Sequence, residues 1–262
     1  MDGVASPKGM IFIMIIKAQD ISVSYTHNAK KGRKDNVINI IDPVDITIVP
    51  GKVTVIFGRS GSGKTTLLSV LAGLLKPSEG TVLYDDIDIY KQKDDIFSEF
   101  RNQNIGFIPQ GQSLISGLTV RENILLPTWY CKQHGSVKSG NAALKESSNQ
   151  NSINISSIRE RAADLIDILG LDERADYLPS QLSGGEIRRC AIARALINDP
   201  SVIFADEPTG DLDDHNTKIV FELLRQKARD DAAVVIVTHE ETAYNYADIV
   251  YRMDAGALAL SA

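Results

Sequence analysis

The chain is poor in everything that would staple it, anchor it or attach it to nucleic acid. It has two cysteines, Cys131 and Cys190, in 262 residues. That is too few for a disulfide framework, and both read as free thiols in a reducing compartment. The longest apolar run near the start, Met10 to Ile16, has seven residues, whereas a membrane-spanning helix needs about 20. A secretory signal would need a longer apolar stretch followed by a small-residue cleavage site, and Lys17-Ala18-Gln19-Asp20 offers none. The run reads instead as a buried first strand, with Met10 or Met14 as candidates for the true start, since the residues before them read as unstructured. Any membrane association is therefore expected through a partner. Positive charge is not in excess either. The net charge is -6, so nothing global favours nucleic acid. No internal repeat and no sustained heptad pattern is visible.

What is present is enough for a large core. Hydrophobic residues make up 43% of the chain, sufficient for one large α/β domain or two small ones. Strand patterns are read at Met14 to Tyr25 (as a strand pair), Val37 to Ile41, Asp45 to Val49, Val53 to Phe57, Thr81 to Tyr84, Ile105 to Ile108, Ser201 to Ala205 and Ala233 to Val237. Helical patterns alternate with them at Lys64 to Leu75, Asp94 to Asn102, from Thr119, Glu186 to Ile197 and Asp213 to Arg229. Ile158, Ala162, Leu165, Ile166 and Leu169 share one helical face, and Gly170 suits that helix's end. Strands alternating with helices predict a mostly parallel sheet. The basic stretch His27 to Lys34 reads as a solvated hairpin loop, with contact to lipid headgroups or phosphates as the alternative. Lys132 to Ser157, rich in Ser, Asn, Gly and Lys, reads as a mobile surface insertion that buries too little to offset its ordering entropy.

Three motifs carry chemistry. Gly58-Arg59-Ser60-Gly61-Ser62-Gly63-Lys64-Thr65 fits G-x-x-x-x-G-K-S/T, with an apolar strand before it and a helix after it. Glycines let the backbone curl so that successive N–H groups point inward, and the helix start adds positive potential. Lys64 then places a charge on the outer phosphates, and the Thr65 hydroxyl suits Mg2+. The second motif, Val202 to Glu207, is an apolar strand ending in two carboxylates. Asp206 suits Mg2+, and Glu207 suits polarisation of an attacking water. The third, Leu182-Ser183-Gly184-Gly185-Glu186, has the form of a capping box. Its two glycines leave helix-start N–H groups open to a phosphate. The chain thus has two phosphate-receiving helix starts. From the residues alone, they face either one nucleotide or two.

Taken in order, these motifs resemble the ATP-binding subunit of ABC (ATP-binding cassette) transporters over about Met14 to Gly256. The resemblance makes Gly58 to Thr65, extended by Thr66, the Walker A loop, Leu182 to Glu186 the signature, and Asp206 the end of Walker B. It makes Gln110 the Q-loop glutamine, Glu207 the catalytic glutamate, Leu212-Asp213 part of the D-loop and His239 the switch histidine. Tyr25 becomes the aromatic that stacks on adenine. The implied fold is α/β, a P-loop NTPase with a RecA-like core, an antiparallel β subdomain and an α-helical subdomain at about Gly111 to Ser180. The implied catalytic set is Glu207, His239, Lys64 and Gln110. The nucleotide set is Tyr25, Gly58, Arg59, Ser60, Gly61, Ser62, Gly63, Lys64, Thr65 and Thr66, with Ser183, Gly184, Gly185 and Glu186 supplied by a second copy. The Mg2+ set is Thr65, Gln110 and Asp206.

The implied function is ATP hydrolysis by a head-to-tail homodimer around two Mg-ATP, driving an integral membrane permease from the cytoplasmic face of the membrane. Thr209 to Asp213, Ile105-Gly106-Phe107 and Leu118 to Asn123 resemble the lipoprotein-release, macrolide-export and antimicrobial-peptide-export branch. Glu186 departs from the commoner glutamine at the signature's fifth position. The polar stretch Lys132 to Ser157 is longer than that branch's usual, near where a permease should dock. A soluble ABC ATPase acting on DNA or ribosomes fits poorly, since this chain has one cassette, no heptads and an acidic balance. An ATP-driven regulatory module that signals through a membrane protein without transport is the alternative function.

Overall fold

The computed structural model describes residues 14–27, 36–111, 113–134 and 155–261. Two sheets share the chain. A four-stranded antiparallel sheet runs β2-β1-β4-β5, from β1 (Ile16–His27), β2 (Asn36–Ile48), β4 (Glu79–Tyr84) and β5 (Ile87–Asp88). A six-stranded sheet runs β10-β9-β3-β8-β7-β6, from β3 (Val53–Phe57), β6 (Ile105–Ile108), β7 (Val202–Asp206), β8 (Ala233–Thr238), β9 (Ile249–Asp254) and β10 (Ala257–Leu260). All its pairings are parallel except β9 with β10. The helices are α1 (Lys64–Leu71), α2 (Asp94–Asn104), α3 (Val120–His134), α4 (Ile155–Ile168), α5 (Gly184–Leu196) and α6 (Asp214–Arg229).

Alternation along the central strands assigns the two faces. Val202 and Phe204 of β7, with Val235 and Val237 of β8, join the core that α1 and the antiparallel sheet close. Ile203 and Ala205, with Val234 and Ile236, join the core built from α3 to α6. Every residue of β7 and β8 is buried, as expected for parallel strands covered on both faces. Burying each large side chain such as Phe204 or Phe221 contributes about 1.5–3 kcal/mol.

Several boundaries differ from the sequence reading. Met14 to Tyr25 is not a strand pair: β1 is a single strand that bulges. The four residues Ala18 to Ile21 oppose three on β2 (Val44 to Ile46), the four from Gln19 to Ser22 oppose three on β4 (Glu79 to Thr81), and Asp20 takes a positive φ of 49° at the bend. β2 likewise runs through Asp42-Pro43, which reads as a break. The ladder steps from Ile21↔Val44 to Val23↔Ile41, so a bulge absorbs the proline on a strand at the sheet edge. β1 and β2 pair down to His27↔Asn36, the hairpin expected around the basic stretch, whose residues 28–35 lie outside the described ones. α1 stops at Leu71 rather than Leu75, because Gly73 turns left-handed at φ 68°. The polar stretch is shorter than read: α3 extends to His134 and α4 begins at Ile155. Residues 135–154 lie outside the described residues.

The capping box predicted at Thr119 forms. Thr119 N–H donates to Glu122 Oε2 at 2.8 Å, and Glu122 N–H donates to Thr119 Oγ1 at 3.2 Å. Ile158, Ala162, Leu165, Ile166 and Leu169 are all buried, and Gly170 sits at φ 61° past the helix end.

Candidate active site

β3 delivers the chain into the Gly58–Gly63 loop, and α1 starts at Lys64. Two glycines are required sterically. A Cβ on Gly58 would overlap the Met253 carbonyl, and one on Gly63 (φ 102°) would lie 2.9 Å from the Ile40 carbonyl and Met253 Cε. The loop is supported from behind by the β9–β10 hairpin, whose Gly256 N–H donates to the Ser62 carbonyl at 3.1 Å. Lys64 is only 6% exposed. Its ammonium donates to the carbonyls of Gly58 at 2.7 Å and Arg59 at 3.0 Å, and stands 4.0 Å from Glu207 Oε1. Arg59, Ser60, Gly61 and Thr65 are exposed, Thr66 is half-buried, and Ser62 is buried.

Glu207 lies just beyond the C-terminal end of β7, with φ at 46°. A left-handed glutamate costs about 1–3 kcal/mol and persists where the surroundings over-determine it. They do: its N–H donates to Val237 O at 2.9 Å, Thr238 Oγ1 donates to its Oε2 at 2.9 Å, and His239 Nδ1 lies 2.9 Å from its Oε1. With Glu207 ionised, that last contact requires the Nδ1–H tautomer of His239. The imidazole is otherwise largely exposed. Lys64, Glu207 and His239, three of the four catalytic candidates, thus converge.

The residues present fit Mg2+. Asp206 Oδ1 is buried without a hydrogen-bond partner, as a carboxylate aimed at a cation would be. Burial pushes the Asp206 carboxyl up, as does the charge of Glu207, while the Thr65 hydroxyl, Lys64 and Arg188 oppose the rise. Among the described residues no group of three or more His, Cys, Asp or Glu side chains could hold a metal on its own. That suits an ion completed by phosphate oxygens and water rather than by a protein cage.

The signature candidates lie elsewhere. Ser183 caps α5, accepting from Glu186 N–H at 3.3 Å, and Glu186 Oε2 accepts from Ser183 N–H at 2.7 Å. These bonds from Ser183, then Arg174 at 3.0 Å, hold the Glu186 carboxyl below its usual range. The capping box therefore forms with glutamate as the fifth residue. A Cβ on Gly185 would meet Asp211 O and Leu212 Cδ2 at 3.3 Å, so the signature turn packs on the residues after Glu207. Among the described residues, no hydrogen bond or ion pair joins Ser183–Glu186 to the Gly58–Thr65 loop. Gln110 is exposed, just after β6. Tyr25 is 52% exposed on β1, opposite Ile38, so core packing does not account for it.

Neither Arg188 nor the hydroxyl of Thr238 stands out in the sequence. Arg188 is buried two residues past the signature and donates to Pro109 O, next to Gln110, at 2.6 Å. Burial lowers its guanidinium's proton affinity, and Asp211, Asp206 and Glu207 raise it. Arg194, two turns further along α5 from the signature, donates to Ser113 O and Oγ at 2.8 Å each. α5 thereby grips the segment around Gln110 at two points. The only hint in the sequence is that three arginines, Arg188, Arg189 and Arg194, stand on a helix otherwise apolar beyond its first turn.

Comparison with known proteins gives consistent results. A family model described as "ABC transporter" matches residues 41–210. The lipoprotein-releasing system ATP-binding protein LolD of Cytophaga hutchinsonii is 38% identical, over 93% of this chain and 98% of its own. The ABC transporter ATP-binding protein YtrE of Bacillus subtilis is 34% identical, over 93% and 96%. Among solved structures, an ATP-binding cassette captured as a post-hydrolysis dimer with ADP and Pi superposes with a TM-score of 0.77. It is 30% identical and covers 94% of this chain and 98% of that one.

Proposed function

Since this chain belongs to the ABC transporter ATP-binding family, we propose that two copies close head to tail around two Mg-ATP and drive a separate membrane permease of export type. The chain is an ATPase of that family, converting ATP and water to ADP and phosphate. The Walker A loop, Gly58 to Thr66, would wrap the phosphates with backbone N–H groups, and Lys64 would turn from its loop carbonyls to the outer phosphates. Bound Mg2+, held by Thr65, Asp206 and Gln110 with phosphate oxygens, would neutralise charge on the β- and γ-phosphates. Glu207 would orient the attacking water and take up its proton. His239, already on Glu207 Oε1, would hold the glutamate and reach the γ-phosphate. Tyr25 would stack on adenine. Ser183, Gly184, Gly185 and Glu186 would complete the site from the second copy, since one loop can surround only one side of the transferring group.

That a solved cassette 30% identical to this chain is a dimer supports the shared site. The names of LolD relatives support the lipoprotein-release branch, and the adjacent Leu118–Asn123 motif agrees with it. No helix among the described residues is long and apolar enough to cross a membrane, so attachment would be peripheral, through the permease at its cytoplasmic side.

The observation that carries the catalytic reading is Glu207, buried and held at both oxygens beside Lys64. Glu207→Gln should lower the steady-state ATPase rate by about a hundredfold or more, the scale of a lost general base. ATP binding should persist. Turnover within a few-fold of the parent would remove Glu207 from its role.

A further inference from the structure

We propose that Thr238 is a positioning residue for ATP hydrolysis, its buried hydroxyl fixing which oxygen of Glu207 faces the reaction. The inference rests on reading Glu207 as the group that activates water. Thr238 closes β8 and is fully buried. A hydroxyl has one proton to give and lone pairs to receive. The Glu240 N–H points at Thr238 Oγ1 from 3.1 Å, and an amide can only donate. The hydroxyl's own proton is therefore free for Glu207 Oε2, 2.9 Å away. An ionised carboxylate can only accept, so the direction of the whole chain is set: amide to hydroxyl to carboxylate.

The chain is anchored one step further out. The Glu240 carboxylate accepts from the buried hydroxyl of Thr209 at 2.7 Å, which ties the turn after Glu207 to the turn after Thr238. Oε2 is thus committed to the protein. Oε1 is the oxygen left toward Lys64 and His239, and the carboxylate plane cannot rotate without breaking a charge-assisted bond. A base held in one orientation needs no reorganisation as the water's proton moves.

The test is steady-state ATPase kinetics with nucleotide binding measured in parallel. Thr238→Val keeps the shape and removes the hydroxyl. It should lower kcat by about tenfold or more, the scale of a lost hydrogen bond to a charged group, with KM and ATP affinity within about twofold. Thr238→Ser should restore most of kcat. Thr238→Cys, with only a weak donor, should fall between and keeps the test open if the valine variant does not fold. In a Glu207→Gln background, Thr238→Val should add little further loss, since the two act through one group. Parental kcat in Thr238→Val or Thr238→Cys overturns the proposal, as does a serine variant as slow as valine, or a loss that falls on KM. If Glu207→Gln itself keeps its turnover, the reading of Glu207 fails instead, and the two failures are distinct.

Discussion

Lys64 is a buried cation with, among the described residues, no carboxylate nearer than 4.0 Å. Its donors rest on the carbonyls of its own loop, partners that are neutral and easily exchanged for phosphate oxygens. Phosphate oxygens would add the attraction of opposite charges to each of these bonds. Lys64→Ala should therefore weaken ATP binding by more than about tenfold, a loss of at least 1.4 kcal/mol, as read by titration with a fluorescent ATP analogue. Unchanged affinity would show that Lys64 is structural. Lys64, Asp206 and Glu207 were legible from the chain because each lies in a contiguous motif with a strand beside it. Thr238 was not, because its partner Glu207 stands 31 positions away in sequence, at the end of another strand. The glycines of the loop were legible as glycines, but not the reason two of them are required. That reason is Met253, from a hairpin far along the chain.

At the scale of elements, the parallel strands were the easiest to read, since β3, β7 and β8 are short apolar runs with clear punctuation. The strands with bulges were the hardest. Asp20 and Asp42-Pro43 look like breaks, and only pairing with a neighbour shows the strand continuing through them. β9 and β10 escaped altogether, since Arg252 and Asp254 are exposed on β9 and only Met253 is fully buried. Their placement depends on Asp248 just before β9. This carboxylate accepts from Val53 N–H at 2.9 Å, pairs with Arg225 of α6 and stands 3.6 Å from Lys52. Burial raises its affinity for a proton, but these partners, Arg225 foremost, hold the carboxyl below its usual range. A folded-state value below the unfolded one contributes stability above the ordinary carboxylate range that is lost as pH falls through the folded value. Asp248→Asn should therefore cost about 1–2 kcal/mol at pH 7. The cost should shrink once pH falls below the usual carboxylate range and the parent's own carboxylate takes up its proton. Urea denaturation at both pH values measures it, and an equal cost at both would deny the charge its part.

At the scale of the whole molecule, one chain holds two helix starts proposed to receive phosphate, α1 after Gly63 and α5 after Ser183, with no hydrogen bond or ion pair between their loops among the described residues. α5 is gripped instead to the segment around Gln110 by Arg188 and Arg194, and its signature turn rests on Asp211 and Leu212. The signature is thereby tied to the segment around Gln110 and to the turn after Glu207. A site shared between copies is suggested only by the family resemblance, since spacing along one chain carries no information on what a second chain supplies. Complementation tests it most directly. Lys64→Ala and Ser183→Arg chains, each nearly inactive alone, are mixed and their ATPase rate is measured. In a mixed dimer one site joins the intact Walker A loop of the Ser183→Arg chain to the intact signature of the Lys64→Ala chain. The account predicts turnover well above either variant alone, lost again when Glu207→Gln is added to the Ser183→Arg chain. A mixture no more active than its two components would contradict a shared site.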